Sequence, residues 1–516
     1  MDAIELSLFS NRLAAVCDEM GAILQRAAFS PNIRDRLDFS CAIFDAGGDL
    51  CAQAAHIPVH LGSMAYAMQG IISQFEWKED DMVIVNDPYL GGTHLPDVTF
   101  ISPLLNDNKL LGFVANRAHH ADIGADSPGS MPISSSLDEE GLIIPPTYIY
   151  KEGELQQPIM DKMLGSTRQT QTVQGDVAAQ ISANRTGCQR LQELIENMTS
   201  TAFTSALEEL NNYGERLAKP VYNKIPDGKY SFTDYMDDDG QGHQNIPITA
   251  SIEVENHQIH VDFTGTSPQV AGNINCPLSV AAAAVYYVFR CLLPNYTSAC
   301  AGTFRAISLT APENCLVNAS RPAAVAAGNV ETSTRIVDVI MGALMQAIPE
   351  QLAAASHGSM NNIAMGFAGD EVQQGWDYYE TIGGGMGASA NVSGLSAVQT
   401  HMTNTLNTPT EVLETNYPLR IKQYAIRKGS GGRGVKTGGD GLIREYEFLH
   451  DASVTLLTER RTCSPWGVNK GASGQAGKNS LNGNILPAKK AFQVKQGDCL
   501  KIETPGGGGW GKVSKN

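Results

Sequence analysis

Residues 173–218 contain no proline and repeat apolar side chains every three or four positions, while the tracts on either side break into short apolar runs punctuated by Gly, Pro, Asn and Asp. Apolar residues at the first spacing line one face of a helix, and short runs bounded by turn residues read as strands. Helical and strand-rich segments are therefore segregated along the chain. The class this predicts is α+β, a mixed multi-domain architecture of antiparallel sheets and packed helices.

Residues 3–28 place Ile4, Leu8, Phe9, Leu13, Val16, Met20 and Ile23-Leu24 at helical spacing, and Ser30-Pro31-Asn32 stops the pattern. From 37 to 150 the runs Phe39–Phe44, Met82–Val85, Val98–Leu105, Leu110–Ala115 and Ile143–Ile144 read as strands. After the turn Pro226-Asp227-Gly228, the runs Lys229–Met236, Ile248–Val254 and Gln258–Phe263 predict antiparallel strands, the last two joined by Glu255-Asn256-His257. Leu278–Leu293 reads as a buried helix, too short and too interrupted by arginine to span a bilayer. Glycine is dense after 380, at Gly383-Gly384-Gly385, in SGGRGVKTGGDG at 430–441 and from Gly506 to Gly509, which predicts tight loops between strands such as Leu442–Phe448 and Val454–Leu457. A chain of 516 residues exceeds one core. Three regions are expected: 1–220, α+β, with the candidate metal site; 221–410, a central α/β region; and 411–516, Gly-rich and β-containing.

A net charge of -17 repels phosphate backbones and anionic membranes, and no basic run longer than Arg460-Arg461 or Lys489-Lys490 offsets it. Nucleic acid and membrane are thus excluded as expected partners. The start MDAIELSLFSNRL has no basic segment followed by an apolar one, so a cytoplasmic chain is expected. Ten scattered cysteines without a C-x-x-C pair fit reduced thiols.

The chemistry is concentrated in residues 86–122, which hold His94, His119 and His120 with Asp87, Asp97 and Asp122, in a chain with 11 histidines. Asn106-Asp107-Asn108 between Val98–Leu105 and Lys109–Ala115 predicts a β-hairpin. Centred on Asp107, it pairs 97 with 117 and 95 with 119, so Asp97 and His119 share a face at the open end. His94 has the opposite parity and joins them only where Pro96 ends the strand. An odd-numbered turn selects His119, an even one His120, and a bulge reverses either choice. Mixed His/carboxylate ligation without cysteine suits Zn2+, Mn2+ or Fe2+ with an open position for water. The alternative is that these are ordinary hydrogen-bonded histidines and turn aspartates.

Around this set, Asp38 precedes a strand and offers a fourth oxygen, with Asp35, Asp45 and Asp49 as rivals. Pro58 opposes a regular helix through His56 and His60, which are therefore expected to pack or support rather than bind metal. Glu140, in the pair Glu139-Glu140, is a candidate general base, although a paired acidic surface turn is the blander reading. No G-x-x-x-x-G-K-[ST], G-x-S-x-G or H-E-x-x-H occurs, and Gly434-Val435-Lys436-Thr437 is only a near miss.

Together the stretches RLDFSCAIFDAGGDL, NDPYLGGTHLPDVTFISP, ANRAHHADIG, GNINCPLSVAAAAVYYVFRCLL, AAGNVETSTRIVDVIMGAL, HMTNTLNTPTEVLETNYPLRI and TPGGGGWG resemble the hydantoinase B/oxoprolinase family along nearly the whole chain. One departure is Ala390-Asn391-Val392-Ser393-Gly394, where an acidic residue before the glycine is expected. The resemblance implies the smaller subunit of a hetero-oligomeric, ATP-dependent hydrolase of cyclic amides such as hydantoin, 5-oxoproline or another lactam. It implies a hydantoinase A-like partner of actin-like fold that binds ATP and phosphorylates the ring carbonyl, which accounts for the missing nucleotide motif. It also implies that metal-activated water in this subunit hydrolyses the product of that step, with His94, Asp97, His119 and, less directly, Asp38 as ligands. Acetone and acetophenone carboxylases share the superfamily, so a ketone-carboxylase subunit is the alternative activity. A non-catalytic scaffold for the A-type partner is a third reading.

Overall fold

The computed structural model describes residues 2–54, 56–369 and 375–512, and its first helix is capped by its own N-terminal residues. Asp2 accepts from the amides of Ile4 and Glu5 while Glu5 accepts from the Asp2 amide, a reciprocal capping box. Helix α1 (Ala3–Ala27) buries Leu6, Phe9, Leu13, Met20 and Leu24. The short α2 (Pro31–Arg34) leads into the hairpin of β1 (Phe39–Asp45) and β2 (Leu50–Gln53). Helix α3 (Pro58–Ile72) follows, and then β3 (Met82–Val85), β4 (Asp97–Asn106), β5 (Lys109–His119), β6 (Thr147–Lys151) and β7 (Glu154–Leu155).

These strands form one antiparallel sheet in the order β2-β1-β5-β4-β3-β6-β7. Pro58 starts α3 rather than opposing it, because its missing N–H is one that a first helical turn leaves unbonded anyway. Ile143–Ile144 form no strand. Asn86 takes the Ile144 amide with its side chain, the Ile144 carbonyl accepts from the amides of Asn86 and Asp87, and Pro145-Pro146 offer no N–H to a ladder.

Next come α4 (Gln157–Ser166), α5 (Thr170–Glu196) and α6 (Ser200–Tyr222), the helical block expected from the proline-free tract. Because side chains alternate across a strand, Phe39, Cys41, Val114 and Ala118 pack with α1, α5 and α6. Ala42, Phe44, Phe113 and Ala115 pack on the other face against α3.

A second sheet contains β8 (Gly228–Asp238), β9 (Gln244–Glu255), β10 (Gln258–Asp262) and β11 (Ile307–Thr310), ordered β11-β10-β9-β8 with β10 and β11 parallel. Its core is closed by α7 (Leu278–Leu292) and α8 (Ser333–Leu344). A single π-helical turn, Gly328–Thr332, precedes α8. Among the described residues no helix is long and apolar enough to cross a membrane.

The remaining elements are β12 (Asn362–Phe367), β13 (Trp376–Glu380), α9 (Thr410–Asn416), β14 (Leu419–Arg427), β15 (Gly441–Phe448), β16 (Ala452–Leu457), β17 (Lys478–Leu481), β18 (Asn484–Leu486), β19 (Lys489–Val494) and β20 (Cys499–Glu503). They make two sheets, β13-β12-β16-β19 and β14-β15-β20-β17-β18, which share a core of Ile363, Met365, Leu442, Tyr446, Leu456, Leu500 and Ile502. The chain as a whole is α+β.

The glycine-rich segments are not the tight loops their composition suggests. They lie alongside one another and bond backbone to backbone, with Gly432 N donating to Gly507 O at 2.8 Å, Gly507 N to Gly439 O at 2.9 Å and Gly509 N to Ala472 O at 2.9 Å. A Cβ at Gly385 would stand 2.0 Å from the Gly439 carbonyl oxygen, so the approach itself demands glycine.

Candidate metal centre

The hairpin of β4 and β5 decides which side chains meet. Its turn is two residues long, Asp107 and Asn108, both left-handed at φ 50° and 60°, and Asn106 pairs with Lys109. Left uninterrupted, this even turn would bring His120 to the face of Asp97. A bulge intervenes: Leu105 pairs with Leu110 but Leu104 with Gly112, so Leu111 is an extra residue on β5. Beyond it Asp97 pairs directly with His119, replacing the 97–117 and 95–119 pairing expected for a turn centred on Asp107. Gly112 fits the bulged strand closely against β1, where a Cβ would meet the Phe44 carbonyl at 2.4 Å.

Asp97, Thr99, Arg117 and His119 consequently face α3, and Arg117 reaches Thr99 Oγ1 and Ser63 Oγ at 2.7 Å each. His120 faces α5 instead, with Nε2 2.8 Å from Gln180 Oε1. His94 comes from the loop before β4, where Pro96 lies just outside the strand and the Asp97 amide closes a turn on the His94 carbonyl at 3.1 Å.

His94, Asp97 and His119 each offer a donor atom within 4.8 Å of the others, and all three side chains are buried. Asp97 Oδ1 lies 3.2 Å from His94 Nε2 and 3.3 Å from His119 Nδ1. Asp97 Oδ2 is saturated, accepting from Thr93 Oγ1 at 2.6 Å and Asn329 Nδ2 at 3.1 Å, with His60 Nε2 at 3.2 Å. His94 Nδ1 faces the Ala326 carbonyl at 3.0 Å. A carbonyl only accepts, so Nδ1 carries the proton and the lone pair of a neutral His94 sits on Nε2, towards Asp97.

The electrostatics follow from burial and charge. Burial pushes the Asp97 carboxyl up, but His60, His94 and His119 outweigh it and hold the group well below the usual carboxylate range. Burial keeps His119 below the ordinary imidazole value despite Asp97 and Asp38. For His94, burial is overcome by Asp97 and the Ala326 carbonyl, which raise it. His94 Nε2, Asp97 Oδ1 and His119 Nε2 have no hydrogen-bond partner among the described residues. Buried atoms of this kind are rarely left unbonded. Two imidazoles and a carboxylate suit a cation of the Zn2+, Mn2+ or Fe2+ type, so the residues present fit one.

Asp38 flanks the set: its carbonyl accepts from the His119 amide at 3.0 Å and its Oδ1 lies 4.0 Å from His60 Nε2. Its rivals are engaged elsewhere, Asp35 with Arg34 at 2.9 Å and Asp45 with the amides of Gly47 and Asp49, while Asp49 lies in that exposed turn. His56 lies outside α3, its Nδ1 accepting from the Cys41 amide at 3.1 Å, and burial drives it down to about 4.

Glu140 is not on a surface turn. It is fully buried, and Oε1 accepts from Ser134 Oγ at 2.6 Å and from the amides of Val325 and Ala326 at 2.9 Å each. Burial raises its carboxyl to about 7 against those bonds. Glu139 is exposed.

Thr93, Asn329 and Tyr379 were not singled out by sequence. Tyr379 stacks on His119, 4.7 Å between centroids and 8° between planes. Nothing in the aromatic run of β13 separates a tyrosine that touches a histidine from one that fills the core, and no spacing marks Asn329.

The profile of the hydantoinase B/oxoprolinase family matches residues 2–513. An uncharacterized protein of Methanocaldococcus jannaschii is 40% identical over 99% of this chain and 91% of its own length. The 5-oxoprolinase 1 of Arabidopsis thaliana is 38% identical over 99% of this chain but 42% of its own, so the chain spans about two fifths of that relative. The putative B-type subunit of a D-/L-hydantoinase from a Pseudomonas species is 34% identical over 99% of this chain and 90% of its own. The crystal structure of the ATP-dependent caprolactamase of Pseudomonas jessenii superposes with a TM-score of 0.92 at 26% identity, covering 99% of this chain and 91% of that one. Acetone carboxylase, at a TM-score of 0.87 and 17% identity over 99% of this chain and 76% of that one, shares the fold.

Proposed function

The chain belongs to the hydantoinase B/oxoprolinase family, and from that premise we propose that it is the metal-carrying subunit of an ATP-dependent hydrolase of cyclic amides, a hydantoin, 5-oxoproline or another lactam. ATP is bound by a separate hydantoinase A-like subunit, which phosphorylates the ring carbonyl, and the two work as a hetero-oligomer in the cytoplasm. The names of the relatives, which include 5-oxoprolinase, hydantoinase and caprolactamase, support this substrate class. The observation that carries the reading is the convergence of His94, Asp97 and His119, which are all buried and each offer a ligand atom within 4.8 Å of the others.

The division of labour has a chemical reason. An unstrained lactam is resonance-stabilised, and phosphorylation turns its oxygen into a leaving group for attack by water. His94, Asp97 and His119 would hold a divalent metal, with Asp38 as the fourth ligand, and the metal would supply Lewis acidity and activate water at neutral pH. The chain's own residues prepare the site. Thr93, Asn329 and His60 occupy Asp97 Oδ2 and leave Oδ1 free for the cation. The Ala326 carbonyl sets the His94 tautomer. Glu140 holds the Val325 and Ala326 amides, and so positions that carbonyl rather than acting as the base. His60 places its Nε2 3.2 Å from Asp97 Oδ2 and 4.0 Å from Asp38 Oδ1, between the two carboxylates.

The test is to purify the chain together with a hydantoinase A-like partner, measure bound metal, and follow lactam-dependent ATP turnover. Full turnover in a His94→Ala/His119→Ala variant, or a metal-free active complex, would leave this chain a scaffold and refute the proposal. ATP turnover that requires bicarbonate would instead identify a ketone carboxylase.

A further inference from the structure

The π-helical turn Gly328–Thr332 leads into α8, and π-helical geometry recurs at functional sites. Three of its side chains, Asn329, Glu331 and Thr332, are polar and buried. Asn329 binds Asp97, as described above. Glu331 faces a different set of groups: its Oε1 accepts from the Met360 amide at 2.9 Å and from Asn362 Nδ2 at 2.7 Å. Asn362 Nδ2 also donates to the Leu457 carbonyl at 3.1 Å, which fixes the amide so that its Oδ1 accepts from the Tyr379 hydroxyl at 2.5 Å. The Tyr379 ring then lies flat on His119, with the Arg36 guanidinium 4.9 Å from the same ring centroid. A continuous line of contacts, 0–2% exposed throughout, joins Glu331 to the imidazole of a candidate metal ligand.

We propose that Glu331 is a positioning residue of the metal centre, setting the ring plane of His119 through Asn362 and Tyr379. The inference rests on the reading of His119 as a ligand. Two observations separate Glu331 from an ordinary buried ion pair. It makes no salt bridge among the described residues, whereas the adjacent Glu459 takes Lys489 Nζ at 2.5 Å and Arg335 Nη2 at 3.2 Å. Burial raises its carboxyl to about 8, with the Glu459 charge adding to the rise and the Ser359 hydroxyl, Lys489 and Arg461 opposing it. Near neutral pH the group is therefore an uncharged acid whose oxygen accepts from Asn362, a role that glutamine can reproduce and alanine cannot.

The experiment is a Zn2+ titration of the metal-stripped full-length chain against a competing chelator, with the thermal midpoint recorded for each variant. Glu331→Ala and Tyr379→Phe should each weaken binding about tenfold, the scale typical of groups that orient a ligand. The double variant should be no weaker than the singles, because both cut one line of contacts, and Glu331→Gln should bind like the wild type. The proposal is overturned if Glu331→Ala lowers the thermal midpoint but leaves Zn2+ affinity intact, or if the two effects add. Should Glu331→Ala fail to fold, Tyr379→Phe decides alone, and wild-type affinity in it refutes the proposal. A wild-type chain that takes up no Zn2+ or Mn2+ removes the metal-centre reading and this inference together, an outcome distinct from selective failure of the variants.

Discussion

Glu140→Gln tests whether the buried carboxyl behind His94 is a neutral acid that organises the Val325–Ala326 backbone. The carboxyl is raised from 4.5 to about 7 by burial. Below 4.5 it is protonated in both the folded and unfolded chain, and its contribution to stability is fully present. As the pH rises from 4.5 towards 7 the unfolded chain ionises first, and stability falls by about 1.4 kcal/mol per pH unit. Above 7 both states are ionised and the loss levels off at about 3 kcal/mol, of which about 2 kcal/mol falls between roughly pH 5.5 and 7.5. Glutamine keeps the accepting oxygen for Ser134, Val325 and Ala326 and does not titrate. Urea unfolding of the metal-free chain, followed by tryptophan fluorescence, should therefore show Glu140→Gln gaining about 2 kcal/mol on the wild type over that range. Glu140→Ala should instead lose about 3–5 kcal/mol, since three buried donors are left without an acceptor at about 1–3 kcal/mol each, partly relieved by water. Parallel wild-type and Glu140→Gln curves across the pH range would show that Glu140 is ionised in the fold and would refute the argument.

Other expectations can be checked with similar means. His94→Ala, Asp97→Ala and His119→Ala should each abolish stoichiometric metal in the purified chain, while His120→Ala should retain it and lose only about 1–2 kcal/mol for the broken Gln180 bond, as read by elemental analysis and denaturation. Burial holds His357 down at about 3, so its contribution is present above 6.5 and is lost as the pH falls towards 3; His357→Gln should move acid unfolding, followed by circular dichroism, to lower pH. Gly385→Ala drives a Cβ to 2.0 Å from a carbonyl and should cost about 3 kcal/mol or more, whereas Gly70→Ala, in α3 with nothing within 4 Å, should gain about 0.5–1 kcal/mol in thermal unfolding.

The residues that carry the candidate chemistry were legible because they crowd into one short tract, and the hairpin joining them announced itself by its turn residues. The details were less accessible. Ile143–Ile144 look like a strand until Asn86, far away in sequence, claims their backbone groups. Pro58 looks like a helix breaker until the helix is seen to begin there. His60, 37 residues before Asp97 by number, is brought to it by α3 packing on the sheet, and a distance of that kind leaves no trace in spacing. Glu140 was visible as an acid, but its burial and its grip on Val325 and Ala326 depend on a loop almost two hundred residues later.

The choice between His119 and His120 marks the boundary most clearly. Sequence alone determined that the class is α+β, that two runs meet as a hairpin near Asp107, and that one of the two histidines must share the face of Asp97. These follow from periodicity and turn chemistry, which act over a few residues. Which histidine it is was decided by the bulge at Leu111, where Gly112 fits against the Phe44 carbonyl of β1. A strand's side chains alternate with a period of two, so one extra residue inverts the face. Whether that residue is accommodated depends on packing against a strand some seventy positions away.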